Sequence, residues 1–245
     1  WLQNGNNVVI KGNVESKRMG AVNIYSSQDF FMHTFLERLQ AKGIQCPAGY
    51  AFNELTKDSL SVQMALFETP VQDVVNQIMK ESDNLNAEAL LCRLGAQATG
   101  KKRVSDEDGL VAIRRQMKAL GEDADNYKLA DGCGLSNYNY ISPDLLVSFL
   151  RFAYSRTDVF QKLYKALPIG GVDGTLKYRM KPGTPSYKNV HAKTGSFTAI
   201  NCLAGYLRAA NGHEIAFAIM NQNVLSGAKA RAFQDALCDE VIRGK

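Results

Sequence analysis

The residues in this sequence that are best suited to take part in binding or catalysis form a triplet, which precedes the most β-like segment. Lys193, Thr194 and Gly195 combine a fixed positive charge, a hydroxyl and a residue without a side chain. At a strand edge, glycine lets a ligand approach the backbone closely, and lysine places a positive charge beside it. Such an edge suits an extended peptide that ends in a carboxylate, because the peptide can add to the sheet as one more strand. A strand that begins with a solvated lysine accounts for the same triplet.

A second triplet, Ser82-Asp83-Asn84, falls between two helical patterns. Apolar residues recur at helical spacing before it and again after it, so the sequence predicts a tight joint between two helices. Serine, aspartate and asparagine commonly cap helix ends, which explains the triplet without any function. The same joint can hold a hydroxyl and an amide rigidly at the floor of a cleft, so both interpretations stay open.

The elements that must position these triplets follow from periodicity and turn residues. Asn211-Gly212 separates two apolar runs, which is the strongest short-range hairpin signal, and residues 190–221 are predicted to form a three-stranded antiparallel meander. A capping-box start at Thr69, with proline next and Gln72 three residues on, predicts a helix that runs to the Ser-Asp-Asn triplet. Further helices are predicted from a cap at Ser27 to Gly43, after 84, and over 105–121, 142–154, 158–167 and 228–242. Short strands are predicted at 8–10, 21–25 and 60–67.

The composition argues against a disordered protein and against a membrane-spanning one. With 245 residues, 45% hydrophobic and 22% charged, the chain has the make-up of a globular protein with one large domain, or one domain plus a fragment. No apolar run approaches the roughly 18 residues that a spanning helix needs, so we predict no transmembrane segment.

Metal and nucleic-acid binding are also disfavoured by the sequence. Its five cysteines are scattered without a C-x-x-C pair, and none of its three histidines is spaced with another like metal ligands, so we predict no metal site. The net charge is +5, and the only tight basic cluster is Lys101-Lys102-Arg103. A solvated loop explains that cluster, so we predict no nucleic-acid partner.

Four ordered stretches resemble the D-alanyl-D-alanine carboxypeptidase/endopeptidase family of the penicillin-binding protein 4 type, peptidase family S13. They lie at 78–85, 131–136, 171–176 and 191–196, and the resemblance covers roughly residues 20–245. The two triplets match two of the three motifs of penicillin-recognising serine acyltransferases: S-x-x-K, S-D-N and K-T-G. The resemblance implies an α/β (α+β) fold of the β-lactamase/transpeptidase type. In this fold an antiparallel sheet has flanking helices and a helical subdomain, and here we expect it to be incomplete at the N-terminus.

The S-x-x-K motif does not precede the other two motifs in this chain. In the family, the nucleophile is the serine of an upstream S-x-x-K, but the only such pattern here is Ser226 to Lys229, after the Lys-Thr-Gly triplet. Serine at 226 is interpreted as a helix cap. The resemblance therefore implies that residues 1–18 are the tail of an inserted domain or a linker. Residues 19–245 are then a transpeptidase-like domain without its nucleophile segment, inactive alone.

For the complete enzyme, the resemblance implies a serine-type carboxypeptidase/endopeptidase that works through an acyl-enzyme, is penicillin-sensitive and needs no cofactor. The catalytic residues in this chain are then Ser82, which relays a proton, and Lys193. Asn84 donates its amide to a substrate carbonyl, and the hydroxyls that follow Lys193 bind the substrate carboxylate. The substrate-binding residues are Asn84, Thr194, Gly195 and Ser196. Asp131 and Asp173 are interpreted as loop-fixing residues.

The partners expected from the resemblance are peptidoglycan stem peptides and β-lactams, and the expected location is periplasmic or exported. A non-catalytic protein of the same fold that only holds cell-wall peptides is the alternative. An unrelated α/β interaction domain, in which both triplets are caps and strand starts, is a further one.

Overall fold

The structure is a computed structural model that describes residues 24–53, 62–63 and 65–244. The chain divides into two compact units, residues 1–66 and 67–245. The strand predicted at 8–10 and the domain boundary predicted between residues 18 and 19 lie outside the described residues.

The described part of the first unit contains helix α1 (Ser27–Ala41). Its N-cap is Ser26, one residue earlier than predicted, and the Ser26 side chain accepts a hydrogen bond from the backbone N–H of Asp29. Ile24 and Tyr25, the described end of the strand predicted at 21–25, are not in a strand. The described residues of 60–67 are not in one either, so these two predictions are wrong where they can be checked. Alternating apolar residues form a strand only where a neighbouring strand completes their backbone hydrogen bonds.

The second unit contains the remaining helices and the sheet, close to the predicted boundaries. Its helices are α2 (Val71–Glu81), α3 (Asn84–Thr99), α4 (Asp106–Ala119), α5 (Pro143–Tyr154), α6 (Thr157–Ala166) and α7 (Gly227–Arg243). Short 3₁₀ turns lie at 124–126 and 174–176. The predicted capping box of α2 is wrong, because its N-cap is Pro70 and no side chain caps it. The side chain of Gln72 donates instead to Asn76 Oδ1 and to the backbone oxygen of Lys162.

The predicted meander is confirmed as a three-stranded antiparallel sheet in the order β1 (His191–Phe197), β2 (Ile200–Arg208) and β3 (Glu214–Asn221). Its register sets Lys193 opposite Ala204 and Gly195 opposite Cys202. Between β2 and β3, Gly212 takes the left-handed conformation, with φ of 87°. A residue without a Cβ adopts this conformation without strain, which is why Asn-Gly marks the turn.

Helices cover both faces of this sheet. Leu207 packs in a core cluster with Cys238 and Ile242 of α7. The neighbouring residue, Tyr206, is fully buried and donates its hydroxyl to the backbone oxygen of Leu150 in α5. Because successive side chains of a strand point to opposite faces, α5 and α7 lie on opposite sides of the sheet.

One fully buried polar side chain connects α7 to the sheet and to the loop before β1. The amide nitrogen of Gln234 donates to the backbone oxygen of Asn201 at 3.0 Å and to Asn221 Oδ1 at 2.9 Å. Its amide oxygen accepts from Arg179, whose guanidinium also pairs with Asp235 at 2.6 Å. Each polar atom of the buried amide is therefore satisfied, as burial requires.

Replacement of Gln234 by leucine is expected to lower the free energy of unfolding by about 1–3 kcal/mol, because the buried groups that it satisfies would lose their partner. Urea denaturation measures the change. Gln97→Leu, on the exposed face of α3, is the matched control and is expected to stay within about 0.5 kcal/mol of the wild type. Equal stability of the two variants would contradict this account of the buried network.

Candidate active site

The Ser-Asp-Asn triplet forms the predicted joint between two helices. Ser82 ends α2 in the left-handed conformation, with φ of 59° and ψ of 47°. Asp83 is the N-cap of α3, and its carboxylate accepts a hydrogen bond of 2.9 Å from the backbone N–H of Asn86. That hydrogen bond lowers the pKa of Asp83, which is an expected property of a helix cap. The left-handed conformation of Ser82 is uncommon for a residue with a Cβ and is strained by about 1 kcal/mol or more.

The joint meets the Lys-Thr-Gly strand through one short hydrogen bond. Lys193 Nζ, on β1, donates to Ser82 Oγ at 2.7 Å and to the backbone oxygen of Thr194 at 2.7 Å. The first of these contacts joins residues 111 positions apart in the sequence. Burial lowers the pKa of Lys193 below its ordinary value of 10.5, because a low-dielectric environment disfavours the charged ammonium. An amine in this state gives up a proton more readily than a solvated lysine does.

The other predicted residues gather in one cavity beside this contact. A cavity of about 400 Å³ is lined by Ser82, Asn84, Thr194, Gly195 and Ser196. Asn84 is the exposed first residue of α3, and Ser196 lies exposed on β1. The structure thus brings together all six residues that the sequence predicts for the site, with Lys193 linked to it through Ser82.

This cavity adjoins a larger one. The second cavity has a volume of about 650 Å³ and shares Leu135, Gly195, Ser196 and Cys202 with the first. A Cβ placed on Gly195 would lie 3.4 Å from the Cβ of Cys202, which is an ordinary contact distance. The packing of the strand by itself therefore tolerates a larger residue at 195.

The loop over 168–176 is fixed to the end of α2 beside the joint. Lys80 Nζ donates to both carboxylate oxygens of Asp173, at 2.9 and 2.7 Å, and to the backbone oxygen of Leu167 at 2.6 Å. Asp173 also accepts from the backbone N–H of Ile169 at 2.9 Å. Gly174 has a φ of 51°, and a Cβ there would lie 2.8 Å from the backbone oxygen of Lys80. The interpretation of Asp173 as a loop-fixing residue is confirmed.

Asp131 fixes the loop that follows α4 in the same way. Its two carboxylate oxygens accept from the backbone N–H groups of Gly134 at 2.7 Å and of Ser136 at 2.6 Å. The carboxylate of Glu88, on α3, accepts from Cys133 N at 2.9 Å. Glu88, Asp131 and Cys133 each have one atom of a type that can bind a metal ion, and these three atoms lie within 4.8 Å of one another. The hydrogen bonds from the loop backbone account for both carboxylates, so these residues are assigned to loop structure.

Sequence reasoning missed several side chains that line the smaller cavity, among them Thr175, Arg179 and Arg231. Thr194 Oγ1 donates to Thr175 Oγ1 at 2.8 Å, and Thr175 falls within one of the four matched stretches, which was the available signal. Arg231 is exposed and donates to Asn201 Oδ1 at 3.5 Å, and among the described residues it has no carboxylate partner. A single arginine on a helix surface carries no signal in the sequence.

The isolated S-x-x-K pattern behaves as predicted. Ser226 is the N-cap of α7, and its hydroxyl accepts a hydrogen bond of 3.4 Å from the backbone N–H of Lys229. Ser226 and Lys229 are thus engaged in starting a helix.

Comparison with known proteins identifies the family. Residues 2–241 match the model of the D-Ala-D-Ala carboxypeptidase 3 (S13) family. The chain belongs to this family. The resemblance given by the four sequence stretches is confirmed, and an unrelated interaction domain is excluded.

Individual members of the family and its fold agree with this assignment. The D-alanyl-D-alanine carboxypeptidase DacB of Haemophilus influenzae is 36% identical over 151 residues, which are 60% of this chain and 31% of that protein. The chain therefore spans about a third of the length of this curated relative. The crystal structure of penicillin-binding protein 4 from H. influenzae, complexed with a β-lactam, has a TM-score of 0.73 and 28% identity over 90% of this chain and 52% of that one.

The fold also extends to β-lactamases. TLA-3 extended-spectrum β-lactamase matches 72% of this chain and 66% of its own, with a TM-score of 0.52 and 16% identity, a level that shows shared fold alone. The expected fold of the β-lactamase/transpeptidase type is thus confirmed. None of the helices in the described part of the chain is long and apolar enough to span a membrane.

The lowered pKa of Lys193 predicts a pH-dependent stability difference between the wild type and Lys193→Met. Burying the ammonium destabilises the folded protein at all pH values below the pKa of Lys193 in the folded state. This penalty is relieved as the pH rises from that pKa towards 10.5, the value in the unfolded chain. Urea denaturation between neutral pH and pH 10 should therefore show the wild type gaining stability relative to the variant. A difference that stays constant or falls with pH would contradict the assignment.

Proposed function

We propose that the complete protein is a serine-type D-Ala-D-Ala carboxypeptidase/endopeptidase that acts on peptidoglycan peptides and is acylated by penicillins. The observation that carries this proposal is the 2.7 Å hydrogen bond between Lys193 Nζ and Ser82 Oγ, at the wall of a polar cavity, in a chain of the S13 family. The relatives' names and the β-lactam complex of penicillin-binding protein 4 support the same activity.

The reaction proceeds by two acyl transfers. A serine hydroxyl attacks the carbonyl of the penultimate D-alanine and loses its proton to a neighbouring lysine of the S-x-x-K motif. The proton passes through the hydroxyl of Ser82, which Lys193 polarises, to the nitrogen of the leaving D-alanine as the peptide bond breaks. Water then hydrolyses the acyl-serine ester by the same groups, releasing the shortened peptide and restoring the serine.

Recognition of the substrate is assigned to β1 and the residues facing it. On the side away from β2, the backbone of β1 forms a bridge to Ile169 only at His191, so from Lys193 onward this edge has no strand partner among the described residues. A peptide can add there as an extended strand. Gly195 then permits its close approach, and the packing of the strand itself does not demand glycine at this position.

The charges and hydroxyls around the cavity suit a peptide that ends in a carboxylate. Thr194 and Ser196 offer hydroxyls to this carboxylate. Lys193 and Arg231, which has no carboxylate partner among the described residues, give the cavity a positive potential. Asn84, which has no side-chain hydrogen bond among the described residues, donates its amide to a carbonyl of the substrate. The backbone N–H of Ser196 stabilises the oxyanion together with the N–H of the nucleophile.

The nucleophile itself is proposed to come from a segment of the complete protein that this chain does not include. No S-x-x-K precedes Ser82 in the 245 residues, and the chain spans only about a third of the length of DacB. Residues 19–245 would then be a transpeptidase-like domain that is inactive by itself. Peptidoglycan as the substrate implies a periplasmic or exported location.

A non-catalytic protein that only holds cell-wall peptides is the second candidate, since the cavity and the β1 edge serve binding without a nucleophile. Labelling of the full-length gene product with a fluorescent penicillin separates the two. The enzyme is expected to give a covalent band that excess unlabelled penicillin abolishes. Peptide binding without a covalent band would contradict the enzyme and establish the binding protein.

Substitution of Lys193 by alanine is expected to slow penicillin acylation of the full-length protein by about 10²- to 10⁴-fold, the range typical for loss of a proton-transfer group. Lys229→Ala is the matched control, because Lys229 belongs to the only S-x-x-K pattern in the chain. It should acylate at the wild-type rate. Loss of labelling in the control, with labelling retained in Lys193→Ala, would reverse the assignment of the two lysines.

A further inference from the structure

We propose that Thr175 is a positioning residue that orients the hydroxyl of Thr194 toward the carboxylate of the ligand. This proposal rests on the function proposed above, in which Thr194 binds that carboxylate. Thr175 is exposed at the cavity that contains the predicted site residues, and its hydroxyl oxygen lies 2.8 Å from that of Thr194.

The two hydroxyls can exchange donor and acceptor roles. In the structure, Thr194 donates its proton to Thr175. A carboxylate offers only acceptor oxygens, so a bound carboxylate requires Thr194 to turn its proton toward the ligand. Thr175 can then donate to the Thr194 oxygen, which keeps that oxygen satisfied. In the resulting chain from Thr175 through Thr194 to the carboxylate, each hydrogen bond polarises and strengthens the next.

The backbone on both sides of Thr175 is anchored, so the point from which its side chain extends is fixed. On one side, Gly174 lies against the backbone oxygen of Lys80, and the neighbouring Asp173 is paired with the Lys80 ammonium. On the other side, Leu176 is fully buried in the core cluster with the sheet and α7. Residues 174–176 form a single 3₁₀ turn. A rigid turn places the hydroxyl without further loss of conformational freedom when the ligand binds.

This arrangement predicts a role that depends on the ligand's carboxylate. Loss of the Thr175 hydroxyl leaves the Thr194 hydroxyl without its partner but leaves Lys193 and Ser82 untouched. Binding of the carboxylate should weaken by the value of about one hydrogen bond, while proton transfer stays intact. For peptide hydrolysis, KM should rise about 3- to 10-fold, with kcat nearly unchanged.

The test compares acylation of the full-length protein by benzylpenicillin and by its methyl ester, which lacks the charged carboxylate. Thr175→Val keeps the shape of the side chain and removes the hydroxyl, whereas Thr175→Ser keeps the hydroxyl. Thr175→Val is expected to slow acylation by benzylpenicillin about 3- to 10-fold and acylation by the ester less than 2-fold. Thr175→Ser should stay within about 2-fold of the wild type with both compounds.

Three outcomes would overturn the proposal. If Thr175→Val slowed acylation by benzylpenicillin and by its methyl ester equally, the effect would be a general structural one rather than carboxylate positioning. Unchanged acylation by benzylpenicillin would show that the Thr175 hydroxyl is not used. In both cases the wild type is acylated, so the proposed function survives. A wild-type protein that neither compound acylates would overturn the proposed function, and the role of Thr175 with it.

Discussion

The candidate site depends on the hydrogen bond between Lys193 and Ser82, which joins the helical part of the second unit to its sheet. The two residues are 111 positions apart, so the contact forms only when the joint after α2 and the strand β1 are both correctly placed. The left-handed conformation of Ser82 bends the chain where its hydroxyl meets the ammonium. Burial at this contact lowers the pKa of Lys193, which connects the packing of the fold to proton transfer.

Two polar networks hold the opposite sides of this contact. On the helical side, the ion pair of Lys80 with Asp173 fixes the loop before β1 to the last turn of α2. On the sheet side, the buried amide of Gln234 ties α7 to β2 and to Arg179. Each network satisfies its polar groups, so the cavity between the joint and β1 has preformed walls, which reduces the entropy lost when a ligand binds.

Local features were predictable from the sequence, whereas long-range partners were not. Asn211-Gly212 predicts its hairpin because Gly212 can take the left-handed conformation that the turn uses. The strand predicted at 60–67 is absent from the described residues of that segment, since a strand requires a neighbour that periodicity does not reveal. Lys80 resembles any solvated helical lysine until Asp173 is placed beside it, and the relation of Thr175 to Thr194 depends equally on tertiary structure. The six site residues were found through motif resemblance, because residue type and spacing alone favoured caps and a strand start.

The central claim is that Ser82 and Lys193 act as one proton-transfer unit. A double-mutant cycle on the penicillin acylation rate of the full-length protein tests it most directly, with Ser82→Ala, Lys193→Met and the double variant. When two residues act as a unit, substitution of either one already removes most of the contribution of the pair. The double variant should therefore be slowed by little more than the more impaired single variant. A double variant slowed by the product of the two single effects would show that the residues act independently and would contradict the claim.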